Sequence, residues 1–140
     1  MSSELDEVIR TSGVIVHPGR YAYLKATRKP AGSHFLIAED ADEVTVVTDE
    51  PCVETVPYHE AVKWFRLLEV RVSAPFEAKG FLAAITRSVA DAGLNVLVVS
   101  TYSKDYILVR EEALEKAVEA LRQRGFPVSA LEASETERAE

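Results

Sequence analysis

The stretch VLVVSTYSKDYILV, residues Val96 to Val109, decides the interpretation of the fold. Two apolar runs, each with the length and β-branched composition of a buried strand, flank six polar residues from Ser100 to Asp105. A tight hairpin is typically closed by two residues such as Asn-Gly, and none of these six is Gly, Pro or Asn. The stretch therefore predicts two paired strands, joined either by a loose polar loop or by a site.

Further strand and helix patterns lie on both sides of this pair. The apolar run beginning at Trp64 predicts a strand, and the residues from Phe81 onward have apolar side chains at helical spacing until Gly93. Residues 111–125 show the same spacing, and PVSAL at 127–131 suits a last short strand. The order β-α-β-β-α-β predicts an α+β, ferredoxin-like unit with two helices on one face of an antiparallel sheet.

The first half of the chain echoes the second half. DEVTVVTDE at 42–50 aligns with KDYILVREE at 104–112, and the interval before it is too short to hold a complete first helix. We therefore predict two ferredoxin-like units, of which the first is degenerate. The predicted divisions are an N-terminal tail at 1–12, the degenerate unit at 13–62, the complete unit at 63–131 and a disordered acidic tail at 132–140.

Composition and charge exclude several classes of function. The 140 residues carry a net charge of −7, which argues against binding to nucleic acid or to an anionic membrane. The single Cys52 excludes an internal disulfide framework and a four-cysteine zinc site. No apolar run approaches the length of a membrane span and the N-terminus does not resemble a signal peptide, so the expected compartment is the cytoplasm.

Catalytic and metal-binding motifs are also missing from the sequence. HEAVK at 59–63 begins like a zinc-protease motif, but Lys63 stands where the second histidine is required. His17 and His34 are far from His59 in sequence, and there is neither a nucleophile elbow nor a phosphate-binding loop. We expect no metal, no cofactor and no catalysis.

The polar residues around Asp105 have the chemistry that a zwitterionic ligand requires. Asp105 can accept charge-assisted hydrogen bonds from an ammonium group. The backbone of residues 79–81 opens a helix, whose free N–H groups and dipole favour a carboxylate, and Gly80 permits close approach. Ser100 and Thr101 supply hydroxyl groups, and Tyr102 or Tyr106 could form a wall.

A purely structural interpretation of the same residues stays open at this point. Asp105 could pair on the surface with Lys104 or Lys79, an interaction worth about 0–1 kcal/mol. Thr101 could cap a turn, and the tyrosines could belong to the outer face of a sheet.

The sequence NVLVVSTYSKDYILV, preceded by GFLAAITRSVADAGL and by the strand from Trp64, resembles the ACT-domain superfamily. The subgroup that it resembles is small bacterial tandem-ACT proteins, which are similar to the regulatory region of aspartokinases and to the CASTOR-type arginine sensors. DEVTVV at 42–47 matches a strand of that subgroup's first domain. The resemblance covers roughly Pro18 to Leu131.

This resemblance implies a ligand site between paired ACT domains. Members of the family bind free amino acids and use the binding to switch a linked or partner enzyme. The matching positions here are Gly80, Phe81, Thr101, Tyr102 and Asp105, with Asn95 and Val96 as weaker candidates from a facing domain. One departure is Lys104, which replaces a threonine of the family pattern and could place a cation beside Asp105.

Together these features predict a non-catalytic regulatory protein that binds a small molecule, most simply an amino acid. We expect a homodimer, since a single unit of this kind leaves sheet edges to be covered. The ligand would act by linkage, shifting a dimer or partner-enzyme equilibrium through its differential affinity. The alternative is a dimerisation or protein-interaction module that needs no ligand.

Overall fold

The computed structural model describes residues 3–73 and 79–131, and the predicted acidic tail lies outside them. The chain forms two compact units. The inserted unit is Gly19–Phe65, and the discontinuous unit comprises residues 1–18 and 66–140. These boundaries differ from the predicted division at residue 62, because the chain enters and leaves the inserted unit from within the other one.

The described helices and strands are as follows. In chain order they are α1 (Glu4–Arg10), β1 (Val14–Val16), β2 (Tyr21–Ala26), β3 (Leu36–Glu39), β4 (Val44–Asp49), β5 (Tyr58–Val70), α2 (Phe81–Asp91), β6 (Leu97–Ser100), β7 (Asp105–Arg110), α3 (Leu114–Arg124) and β8 (Val128–Ala130). Short 3₁₀ helices occur at Glu50–Thr55 and Glu111–Ala113. The β-α-β-β-α-β order predicted from Trp64 onward is confirmed as β5, α2, β6, β7, α3 and β8.

The strands of the discontinuous unit have the order β8-β1-β5-β7-β6. Strand β1 runs antiparallel to β5, with Val14 opposite Val70, and parallel to β8, with Val14 opposite Val128. The prediction of an antiparallel sheet is therefore wrong in this part, because the sheet is mixed. The cause is the insertion of β1 between β5 and β8, two strands that run in opposite directions, so that β1 must be parallel to one of them.

The core of the discontinuous unit lies between one face of this sheet and the helices. Along β5 and β7 alternate residues enter it, and the two aromatic rings of Phe81 and Phe126 meet edge to face at 5.7 Å. The fully buried members include Leu68, Val70, Ile85, Val89, Ile107, Val109 and Leu121. Each such side chain contributes about 1.5–3 kcal/mol through burial, so this face of the sheet is strongly specified.

The N-terminal segment predicted as a tail contains helix α1. Ser3 and Asp6 form a reciprocal capping box, and Ile9 is fully buried in the core. Asp6 Oδ1 also accepts a hydrogen bond from Arg124 Nη1 at 3.0 Å. The prediction is wrong because Leu5, Val8 and Ile9 follow a helical spacing that the acidic composition of the segment obscures.

The inserted unit has a four-stranded antiparallel arrangement in the order β5-β2-β4-β3. Its own core contains Ala22, Leu24, Val46, Val53 and Val56, and residues 19–65 include no α-helix. If its four strands are numbered along the chain, they lie in the sheet in the order fourth, first, third and second. The discontinuous unit has this same order, β8-β5-β7-β6, once β1 is left out.

Candidate functional site

The six polar residues from Ser100 to Asp105 close the β6–β7 hairpin with an ordered turn. Ser100 and Asp105 form the last cross-strand pair. Thr101 N–H donates to the Lys104 carbonyl at 2.8 Å, and the Thr101 hydroxyl donates to the same oxygen at 3.3 Å. Tyr102 is 86% exposed at the tip. The connection is therefore a tight turn around residues 102 and 103, although it has no glycine or asparagine.

Asp105 lies on the face of the sheet that also carries the helices. Side chains alternate along a strand, and Ile107 and Val109 of β7 belong to the helix-side core. The Ser100 hydroxyl donates a hydrogen bond of 2.6 Å to Asp105 Oδ1, which fixes the orientation of this half-buried carboxylate. Within residues 3–73 and 79–131, Asp105 forms no ion pair.

Lys104 lies on the opposite face from Asp105. Its ammonium Nζ is 3.4 Å from Glu69 Oε2, in the middle of the sheet. The interpretation in which Asp105 pairs with Lys104 is therefore wrong, because consecutive residues of a strand point to opposite faces. The lysine that departs from the family pattern does not neutralise the carboxylate.

Glu69 is a buried carboxylate that three basic side chains contact. It is 4% exposed, and its Oε1 lies 2.8 Å from His17 Nε2. Arg71 Nε donates to Oε2 at 2.7 Å, and Lys104 approaches the same oxygen. Burial raises the pKa of Glu69, but the hydrogen bonds from Arg71 and His17 and the charge of Lys104 outweigh it and lower the pKa to about 2.

Glu69 and its partners are not predicted from the sequence. The run LLEVRV was interpreted only as a strand, and Glu69 is one acidic residue among apolar neighbours. Such a residue in a strand that is buried on both faces needs compensating charges, since an unpaired buried charge is costly. That single departure from the apolar run is the signal that could have identified the cluster.

Helix α2 begins at Phe81, after Gly80 in the left-handed conformation with φ of +81°. No side chain of the described residues caps its first turn. The side chain of Phe81 is 3% exposed and packs in the core, so only its backbone is available to a ligand. Leu5 of α1 lies close to this point, 3.7 Å from where a Cβ of residue 80 would be.

The hairpin turn and the start of α2 lie at the same end of the sheet. The contact of Lys104 with Glu69 places the turn near the end of β5, from which the chain continues to α2. The described residues bring Ser100 and Asp105 into contact, with Thr101 and Tyr102 in the turn itself. Residues 74–78 of the connection to α2 are outside the described part.

The two weaker candidates of the predicted site lie at the start of β6. Asn95 is exposed, and its Oδ1 accepts a hydrogen bond from Val96 N–H at 3.0 Å. Val96 packs against the helix-side core. The Val96 side chain therefore serves folding, and the exposed Asn95 amide remains a candidate for contact with a ligand held by a facing domain.

The inserted unit has a shallow depression of its own. It has a volume of about 200 Å³, smaller than the roughly 300–1,000 Å³ of pockets for drug-sized ligands. Its lining includes Tyr23, Lys25, Glu60 and Val62. None of the residues predicted to bind a ligand lies in it.

In residues 3–73 and 79–131 no three His, Cys, Asp or Glu side chains are grouped so that they could hold a metal ion. Among the helices of the same residues, none is long and apolar enough to cross a membrane.

Residues 61–123 match the ACT domain family, which confirms the ACT-domain resemblance for this part of the chain. No curated protein matches the chain in sequence.

Solved structures with the same fold include two small bacterial proteins. A protein from Agobacterium tumefaciens superposes with a TM-score of 0.73 at 21% identity, over 86% of this chain and 94% of its own. A protein of unknown function from Vibrio cholerae superposes with a TM-score of 0.71 at 20% identity, over 86% and 95%.

An aspartate kinase regulatory subunit is also similar in fold. The subunit from Thermus thermophilus, in its ligand-free form, has a TM-score of 0.60 at 9% identity, over 80% of this chain and 96% of its own. At these identities the three likenesses establish the fold alone.

Proposed function

We propose that this chain, whose residues 61–123 match the ACT domain family, is a non-catalytic regulatory protein that binds a small molecule, most simply a free amino acid. The observation that carries the proposal is the state of Asp105. Ser100 orients this half-buried carboxylate on the helix side of the sheet, and no cation of the described residues neutralises it. It is therefore prepared to accept an ammonium group.

The start of α2 supplies the complementary chemistry for a carboxylate. Ala84 N–H donates to the Gly80 carbonyl at 2.9 Å, so the amides of residues 81–83 precede the first intrahelical hydrogen bond. Free amides at a helix N-terminus favour an anion, and no side chain of the described residues caps this turn. An amino acid at this end of the sheet would direct its ammonium to Asp105 and its carboxylate to α2.

The inserted unit supports a tandem ACT arrangement. It has the strand order of the discontinuous unit. At the positions of that unit's two helices it has a loop and the 3₁₀ helix at Glu50–Thr55. The aligned sequences at 42–50 and 104–112 fall on β4 and β7, the third strands of the two units. We interpret the inserted unit as a degenerate ACT domain.

A homodimer would complete the site and transmit the signal. Among the described residues β6 pairs with β7 alone, so its other edge is free to meet a second copy. A ligand that binds the dimer more tightly than the separated chains shifts the equilibrium by its differential affinity. A partner enzyme that recognises one of these states would then respond to the ligand.

A second candidate function is a dimerisation or interaction module that needs no ligand. The position of Leu5 favours it, because α1 lies next to Gly80 and covers part of the start of α2. In this alternative Asp105 only orients the turn through Ser100, and the β6 edge is the functional surface.

Thermal unfolding with each of the twenty amino acids separates the two candidates. A ligand at about 100 times its Kd stabilises the folded state by roughly 2.7 kcal/mol, which raises the midpoint by several degrees. We expect one or a few amino acids to raise the midpoint of the wild type and of Asp91→Asn, an exposed aspartate at the other end of α2. The shift should disappear in Asp105→Asn. If no amino acid shifts the midpoint at millimolar concentration, amino-acid binding is contradicted and the interaction module is the function that stays.

A further inference from the structure

Two cations share a single carboxylate oxygen on the sheet face opposite the helices. Arg71 Nε and Lys104 Nζ lie 2.7 Å and 3.4 Å from Glu69 Oε2, so the two positive groups must be close to each other. Like charges this close repel one another, and Glu69 supplies only one negative charge for the two. The trio therefore keeps a net positive charge, even with His17 neutral.

We propose that this cluster is an oxyanion-binding site, separate from the Asp105 site, in which Arg71 and Lys104 together hold a carboxylate or phosphate group. Glu69 organises the site. It is buried, and its contacts with both cations hold them side by side above the sheet.

Among the residues that the structure describes, both cations retain unused hydrogen-bond donors. The contact of Arg71 with Glu69 uses Nε, and no hydrogen bond of the two terminal nitrogens of its guanidinium is found in residues 3–73 and 79–131. Lys104 has three donors, and its one ion pair in that part of the chain is with Glu69. Charge-assisted bonds from a guanidinium fork and an ammonium are those that an oxyanion accepts most strongly.

The cluster is open to solvent. The Arg71 side chain is 63% exposed and the Lys104 side chain 37% exposed, whereas the Glu69 carboxylate beneath them is covered. An anion could thus reach the two cations without a change in their contacts with Glu69.

Because the whole chain is acidic, anion binding to it would indicate a local site. With a net charge of −7, the protein repels anions in general. Saturable stabilisation by an anion would therefore require a local site, and non-specific attraction could not explain it.

The test measures anion-dependent stabilisation of the full-length chain. We would follow thermal unfolding with increasing inorganic phosphate or succinate, at constant ionic strength set with sodium chloride. We expect a saturable rise of the midpoint with at least one of the two, and the comparison tells whether phosphate or a carboxylate is preferred. A midpoint that does not rise with either anion, or that rises without saturating, would overturn the proposal.

Two variants assign the effect to the cluster. Arg71→Gln and Lys104→Gln should each weaken the apparent affinity about tenfold or more, because each removes charge-assisted hydrogen bonds. Arg87→Gln, an exposed arginine of α2, controls for the general effect of removing one positive charge. An equal loss in Arg87→Gln would contradict the assignment.

Two further variants keep the test decisive. If Arg71→Gln is poorly folded, Arg71→Lys retains the charge without the fork and should lower the affinity while preserving saturation. Asp105→Asn should leave the anion response intact, because its side chain is on the other face of the sheet. An anion response lost in Asp105→Asn would mean that the anion occupies the amino-acid site.

Discussion

Lys104 Nζ lies 3.4 Å from Glu69 Oε2, on the sheet face opposite the one that carries Asp105. Lys104 departs from the family pattern next to the candidate carboxylate, where a cation would oppose the binding of an ammonium group. Its ion pair with Glu69 removes that objection. Two neighbouring residues of one turn thus belong to two different polar clusters.

Glu69→Gln should destabilise the protein by about 2 kcal/mol or more. The substitution leaves Arg71 and Lys104 side by side without their shared negative charge, and it removes the charge assistance from the hydrogen bonds of a buried carboxylate. Urea unfolding measures the change. Glu115→Gln, an exposed residue of α3, is the control, and equal stabilities of the two variants would contradict the role of Glu69.

Low pH should remove the contribution of Glu69 to the free energy of unfolding. Its folded-state pKa of about 2 is below the ordinary 4.5, so the stabilisation is complete above pH 4.5 and is lost as the pH falls towards 2. The shift corresponds to roughly 3 kcal/mol. The stability difference between wild type and Glu69→Gln should therefore shrink over this interval. A difference independent of pH would show that the two proteins differ in packing, with no contribution from the ionised carboxylate.

Ile9→Ala should destabilise the protein by about 2–5 kcal/mol, as expected when a fully buried side chain is truncated. Leu82→Ala is the matched control, because Leu82 is an exposed apolar residue of α2. Denaturant unfolding compares the two. If Ile9→Ala were as stable as Leu82→Ala, the N-terminal segment would be a tail after all.

Gly80→Ala should cost about 1 kcal/mol or more, because its φ of +81° is unfavourable for a residue with a Cβ. The space itself is sufficient, since the nearest atom would be Leu5 Cδ2 at 3.7 Å. Gly13→Ala is the control, since a Cβ there meets nothing within 4 Å and its φ is not in the left-handed region. Equal thermal midpoints of the two variants would contradict the left-handed start of α2.

The second half of the fold could be predicted from sequence because its signals are local. Apolar residues at helical spacing before Gly93 and before Gly125 predict α2 and α3, and β-branched runs predict β6 and β7. The ACT resemblance rests on these same residues. The mixed sheet could not be predicted, because the pairing of β1 with β8 joins two short segments far apart in sequence.

The candidate site could be predicted only in part. Ser100 and Asp105 are close in sequence, so a hairpin brings them together and the hydrogen bond between them follows. Glu69 and His17 are separated by the whole inserted unit, and only the fold shows that they meet. The helical spacing of Phe81, Ile85 and Val89 predicts that their side chains face the core, so for Phe81 only the backbone stays a candidate for ligand contact.

Isothermal titration calorimetry with the amino acid that produces the largest thermal shift tests the Asp105 site most directly. We expect saturable binding to wild type and to Asp91→Asn, and an affinity at least tenfold lower for Asp105→Asn, because the ammonium loses its charged acceptor. The same affinity for all three proteins would contradict the assignment of Asp105 as the group that binds the ammonium.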